Sequence, residues 1–181
     1  ASFEFMLPVS GQPETVTDPP AVVVVTVDGN DYVAAVTGGT WTLEDDTIDA
    51  YNRFLLACRE AGIAFKATAG LHHAICGRYP LTYDADSPTG HMFGFLNVFL
   101  AAGLVHAGRL DAAGCAALLK EDRRHSLFVD PSAATWRDHT LSTAEIERAR
   151  SEFALSYGSC SFTEPVDDLK GLLLIHPRPV H

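Results

Sequence analysis

Between Phe93 and Ala107 the chain is apolar on nearly every side, with Gly94, Asn97, Gly103 and His106 as the breaks. A helix with no polar face has no side to turn toward water, so other layers must cover it from several directions. The run also falls short of the roughly 20 residues that a bilayer span requires. It therefore predicts a helix buried inside a layered globular domain and no membrane partner.

The flanking sequence supplies those layers. Ala21 to Val27 is β-branched and apolar, and a second β-like run from Tyr32 to Thr37 follows Asp28-Gly29-Asn30-Asp31 at hairpin spacing, predicting an antiparallel N-terminal β-hairpin. Thr42 with Asp45 resembles a capping box for a helix to about Glu60, whose buried stripe is Ile48, Tyr51, Leu55 and Cys58 and whose stop is Gly62. A short strand from Ile63 to Ala69 comes next. Asp111 caps a helix to Asp122, and Ser142 with Glu145 opens another to about Phe153. Strand character returns over Leu155 to Phe162, and Thr163 caps a last helix with Pro165 in its first turn. The Gly/Pro/Thr-rich start predicts a mobile segment over residues 1–20, and residues 176–181 predict an extended tail. The reading is a single α/β domain over residues 1–181.

Charge narrows the partners. Thirteen Lys and Arg stand against 23 Asp and Glu, a formal net charge of −10, so no basic surface attracts a phosphate backbone and nucleic acid is excluded as a partner. The beginning Ala1-Ser2-Phe3-Glu4 has neither a basic n-region nor a cleavage site, and the four cysteines include no C-x-x-C pair, so a cytoplasmic protein with reduced thiols is expected. Cys58 and Cys115 fall in helical patterns as small core residues. Open sheet edges and the apolar helix predict a homo-oligomer or a subunit of a larger complex.

Three polar clusters fall at expected strand ends. Lysine is scarce, at positions 66, 120 and 170, yet Lys66 sits inside the apolar strand. Alternation puts Ile63, Phe65 and Ala67 on one face and Ala64, Lys66 and Thr68 on the other. Partial desolvation lowers a lysine's pKa and prepares it for Schiff-base or base chemistry, while an ion pair with a neighbouring carboxylate is the plain alternative. Gly70 then allows a sharp exit to His72 and His73, at the mouth where α/β folds place their sites. These histidines suit proton transfer; with His91 they make a set for a divalent metal. Asn97 is expected to face inward beside them.

The third cluster, Ser156 to Pro165, is a small-residue strand entering a capped helix. Ser159, Ser161 and Glu164 are its candidate substrate-binding groups, together with Thr68, His91 and Asn97, and Cys160 is a candidate nucleophile against the commoner structural role. No G-x-G-x-x-G, Walker loop, G-x-S-x-G or H-E-x-x-H occurs, and Gly38-Gly39 alone is a weak phosphate signal.

The stretches Ala64-Phe65-Lys66-Ala67-Thr68-Ala69-Gly70-Leu71-His72-His73, His91 with Gly94-Phe95-Leu96-Asn97, and Gly158-Ser159-Cys160-Ser161-Phe162 with Glu164-Pro165 resemble an uncharacterised family of bacterial proteins. The resemblance spans residues from about 38 to 170 and implies a partial or compact parallel α/β barrel-like domain, without supplying an activity. A complete eight-stranded barrel is longer than this chain. Over some six residues, Lys66-Ala67-Thr68-Ala69-Gly70 is also similar to the Schiff-base strand of deoxyribose-phosphate aldolase. That likeness implies lyase chemistry at Lys66, and the three polar clusters suit an enzyme acting on a small carbonyl- or phosphate-bearing metabolite. Lys66, His72, His73 and Cys160 are then the catalytic candidates. A metal-dependent enzyme on His72, His73 and His91, or a non-catalytic subunit, are the other readings.

Overall fold

The computed structural model describes residues 3–6, 21–27, 30–36, 45–68, 71–80, 82–157, 161 and 163–172. In chain order its elements are β1 (Phe3–Met6), β2 (Ala21–Val27), β3 (Asn30–Val36), α1 (Asp45–Ala61), β4 (Phe65–Thr68), β5 (Gly77–Pro80), β6 (Thr89–Met92), α2 (Phe95–His106), α3 (Ala112–Leu119), β7 (Leu127–Val129), β8 (Ala133–Trp136), β9 (His139–Ser142), α4 (Thr143–Glu152), β10 (Ala154–Tyr157) and α5 (Thr163–Gly171). Helices and strands mix along the chain as an α/β reading requires.

The apolar run is α2, and it is buried from Phe95 through Val105 with only Leu96 and Phe99 partly open. Layers close over it from several sides. Helix α1 brings Ile48, Tyr51, Leu55 and Cys58, all buried at helical spacing, and ends where Gly62 turns with φ +65°. Helix α3 begins at Asp111, whose side chain accepts from the Gly114 N–H. Helix α4 begins with the complete Ser142/Glu145 capping box.

Strand β4 is the middle of a three-stranded parallel sheet, β1-β4-β10. Its alternation follows the sequence: Phe65 and Ala67 are fully buried, while Lys66 between them is half-buried. Phe54 and Phe153 meet the Phe65 ring edge-on at centroid distances of 5.4 and 5.2 Å, which fixes β4 against α1 and the end of α4. The Tyr157 ring stacks on Phe95 of α2 at 5.2 Å and seats the end of β10.

The expected hairpin is present as β2 and β3, antiparallel from Ala21 opposite Val36 to Val27 opposite Asn30. Of the expected partial or compact barrel, the described residues show a parallel sheet of three strands and no closed barrel. A barrel grows by repeated strand–helix crossovers. Here two stretches of chain turn back on themselves instead. Residues 76–90, read from sequence as loop, contain most of the antiparallel β5–β6 pair, and residues 127–142 form the antiparallel β7-β8-β9 meander, which three- and four-residue strands barely announce. Of the expected strand over 155–162, β10 covers the part to Tyr157 and residues 158–160 and 162 lie outside the described residues; the helix from Asp111 ends at Leu119. Thr42, most of the N-terminal segment and the C-terminal tail lie outside the described residues. No helix among the described residues is long and apolar enough to cross a membrane.

Candidate functional site

The chain leaving β4 is held to the start of α2 by backbone bonds. The His73 and Ala74 carbonyls accept the Phe95 and Leu96 N–H groups at 2.9 and 3.0 Å, satisfying donors that a helix start leaves open. His73 also forms an isolated parallel bridge with Gly94. A Cβ on Gly94 would lie 2.4 Å from the Cys76 nitrogen, the Ile75 carbonyl carbon and Asn97 Oδ1, so only glycine permits this approach. The loop that carries the two histidines is thereby fixed at its backbone.

From that platform both imidazoles meet carboxylates of α5. His73 Nδ1 lies 3.2 Å from Asp168 Oδ2, and the same oxygen accepts the Ala74 N–H at 2.9 Å. His72 Nδ1 lies 3.3 Å from Glu164 Oε2, an oxygen that is buried without an aligned hydrogen bond. Glu164 and Asp168 are four residues apart, one helical turn, and so share a face of α5. Below that face Pro165 is buried, and Leu169 and Leu172 pack on the core. The helix start is fixed by the Ser161 hydroxyl, which accepts the Glu164 N–H at 3.2 Å in the role expected of Thr163.

His73 is the better-defined of the two. Its ring lies flat on Tyr79 of β5, with centroids 3.4 Å apart and planes 5° from parallel. Tyr79 is pinned in turn, its hydroxyl donating to the Ile75 carbonyl at 2.8 Å. Burial pushes the Tyr79 phenol up to about 12, with the Asp168 charge acting in the same direction. Burial also lowers the His73 pKa below the ordinary histidine value, although Asp168 and Glu164 pull the other way. Desolvation wins, so the ring is neutral at neutral pH. A carboxylate oxygen can only accept, which assigns the proton to Nδ1 and leaves the lone pair on Nε2. Among the described residues Nε2 has no hydrogen-bond partner.

The other sequence candidates separate. Lys66 occupies the central strand, in register with Glu4 of β1 and Ser156 of β10. Thr68 is the last residue of β4, and its side chain, like Ser159 and Cys160, lies outside the described residues. His91 stands in β6 opposite Arg78, because the segment before it is a hairpin rather than a loop. Among the described residues no three His, Cys, Asp or Glu side chains gather to hold a metal ion, so the set His72, His73 and His91 is not brought together.

Asn97, expected to face a ligand, has no exposed surface. Its Oδ1 accepts the Cys76 N–H at 2.8 Å, and its Nδ2 donates to the Leu118 and Glu121 carbonyls at 2.9 and 2.7 Å. The amide is spent on the backbone, which corrects its assignment to substrate binding. Cys58, Cys76 and Cys115 are buried free thiols pushed up to about 12 by desolvation, a state without nucleophilic use. Asp168 is the residue that sequence reasoning missed; its signal was the four-residue spacing from Glu164. Compared with family models, curated proteins and solved structures, the chain gives no match.

Proposed function

We propose that the protein is an acid–base enzyme of lyase type, acting on a small carbonyl-bearing metabolite, with His73 as the proton-transfer group and Lys66 as the amine that engages the carbonyl. The observation that carries this reading is the His73–Asp168 pair: an imidazole whose Nδ1 lies 3.2 Å from a carboxylate oxygen and whose ring is stacked flat on Tyr79. Such a group accepts a proton at Nε2 without reorganising, because the positive charge that develops is met by Asp168.

The chemistry then runs in a balanced sequence. The Lys66 amine adds to the carbonyl carbon, and uptake of one proton from solvent lets the carbinolamine hydroxyl leave as water, forming an iminium. His73 Nε2 removes the proton from the adjacent carbon, and the electron pair of that C–H bond flows into the iminium to give an enamine. Reprotonation of the enamine carbon and hydrolysis of the iminium release the product; in the lyase direction the iminium instead takes the electron pair of the carbon–carbon bond while the base removes the β-hydroxyl proton, releasing an aldehyde and leaving the same enamine. His72 with Glu164 lies beside this pair as a second proton carrier. Absent a gathered set of metal ligands among the described residues, the imine reading accounts for more of the site than the metal reading does. Free buried thiols and the acidic composition suit a cytoplasmic protein.

The test is borohydride trapping with a panel of small aldehydes and 2-oxo acids, followed by peptide mapping. Lys66 is expected to carry the reduced adduct while Lys120 and Lys170 do not. In deuterated water, His73→Gln is expected to retain the adduct but slow exchange of the adjacent C–H by about 100-fold. Equal labelling of all three lysines overturns the reading.

A further inference from the structure

We infer that β7 is the seam of a symmetric dimer, in which two copies of this chain join their β7-β8-β9 sheets edge to edge. Strand β7 ends the order β7-β8-β9, with β8 along its inner side and no described strand along its outer side. Among the described residues four large apolar side chains are exposed, and two of them are neighbours on this strand: Phe128 at 62% and Val129 at 38%. The direction of the backbone groups follows from the turn. The Asp130 N–H donates to the Ala133 carbonyl at 2.9 Å, closing the β7–β8 hairpin as a hydrogen-bonded pair. An antiparallel ladder alternates from there, so Phe128 bonds to Thr135 opposite it, and the N–H and C=O groups of Leu127 and Val129 point outward.

That outward row is complementary to itself. Set antiparallel about a two-fold axis through Phe128, Leu127 of one copy faces Val129 of the other, and the two pairs exchange four N–H···O=C bonds. The Phe128 side chains then meet as a non-hydrogen-bonded pair, the position where cross-strand side chains come closest. Charge selects the same arrangement. Exposed Arg124 and His125 precede the strand, with Arg123 paired to Glu121 behind them, and exposed Asp130 follows it, so antiparallel docking runs each Arg124 toward the partner copy's Asp130. Parallel docking would set basic flank against basic flank. In a chain of net charge −10, which repels its own copies over most of its surface, this edge is a place where two copies attract. The contact is isologous and closes at two copies.

Sedimentation velocity on the full chain, from micromolar to hundreds of micromolar, tests this directly and independently of any activity. The expected result is a dimer that becomes monomeric at all these concentrations in Phe128→Glu, with unchanged far-ultraviolet circular dichroism. Val129→Pro removes an outward donor without touching the β8 ladder and is expected to weaken the dimer at least tenfold. Tyr83→Glu, at the most exposed large apolar side chain among the described residues, is expected to leave it intact. Amide exchange at Leu127 and Val129 should slow as the dimer forms. A wild-type chain that stays monomeric, a Phe128→Glu chain that stays dimeric, or free exchange at those two amides within a dimer each overturns the proposal. Should Phe128→Glu fail to fold, Val129→Pro and the exchange rates decide.

Discussion

The polar cluster around Asn97 and the one around His73 are finished differently. Around Asn97 every hydrogen-bonding atom of the amide is met by backbone, and the neighbouring Glu121 carboxylate, 2% exposed, is met by Arg123, Arg137 and the Trp136 indole N–H. These contacts, led by the hydrogen bond from Arg123, hold Glu121 down at about 2. Around His73 the network stops short among the described residues: Nε2 is left over, and a buried oxygen of Glu164 has His72 beside it but no aligned bond. A closed network rigidifies, whereas an open one keeps capacity for a ligand. The first cluster fastens α2 to α3 and to the histidine loop, and the second uses the platform so made.

That contrast sets the size of the mutational effects. Asn97→Ala strands the Cys76 N–H and two buried carbonyls, and we expect a loss of about 4 kcal/mol, read by urea denaturation. Gly94→Ala forces a Cβ onto the Ile75–Cys76 backbone and should cost about 3 kcal/mol in the same assay. Glu121→Gln keeps the shape but removes the charge from five hydrogen bonds given by three residues, for about 2 kcal/mol. Its dependence on pH has a definite sign. Because the folded pKa is depressed, the wild-type stabilisation from Glu121 is present above the unfolded carboxylate range and fades between about 4.5 and about 2, so the wild-type and Glu121→Gln stabilities should converge there.

Asp168→Asn should be the mildest, costing about 1 kcal/mol, since the amide oxygen still accepts the Ala74 N–H. Equal losses for Asn97→Ala and Asp168→Asn would erase the distinction between a closed and an open network. The histidine cluster has its own pH signature, opposite in origin. The folded pKa of His73 is lowered, so the unfolded chain binds the extra proton first, and stability falls as pH drops from the ordinary histidine range toward the folded pKa. His73→Phe should flatten that part of the stability profile.

Much of this frame is legible in the chain. The all-round apolar run, the Asp111 and Ser142 caps and the alternation through Phe65, Lys66 and Ala67 each act within a few residues, and the fold follows them. Sequence also brings out His72, His73 and Glu164, because a glycine after a strand and a small-residue stretch before a helix mark both ends of the site. Asp168 is not legible the same way: its partner is 95 positions away, and an acidic residue on a nine-residue helix looks like a solvated face. Asn97 looks like a ligand-facing group until the loop at Cys76 folds against it. His91 looks like a loop residue until Gly77 to Met92 closes as a hairpin. Each of these depends on chain segments that meet only in three dimensions.

The central claim is that His73 is a neutral base with its proton on Nδ1. Nuclear magnetic resonance of the nitrogen-labelled imidazole across pH measures this in one titration. The account predicts Nδ1–H with an unprotonated Nε2 at neutral pH, a midpoint below the ordinary histidine value, and a change of tautomer ratio in Asp168→Asn. A His73 ring that carries its proton on Nε2, or that titrates at or above the ordinary value, would contradict it.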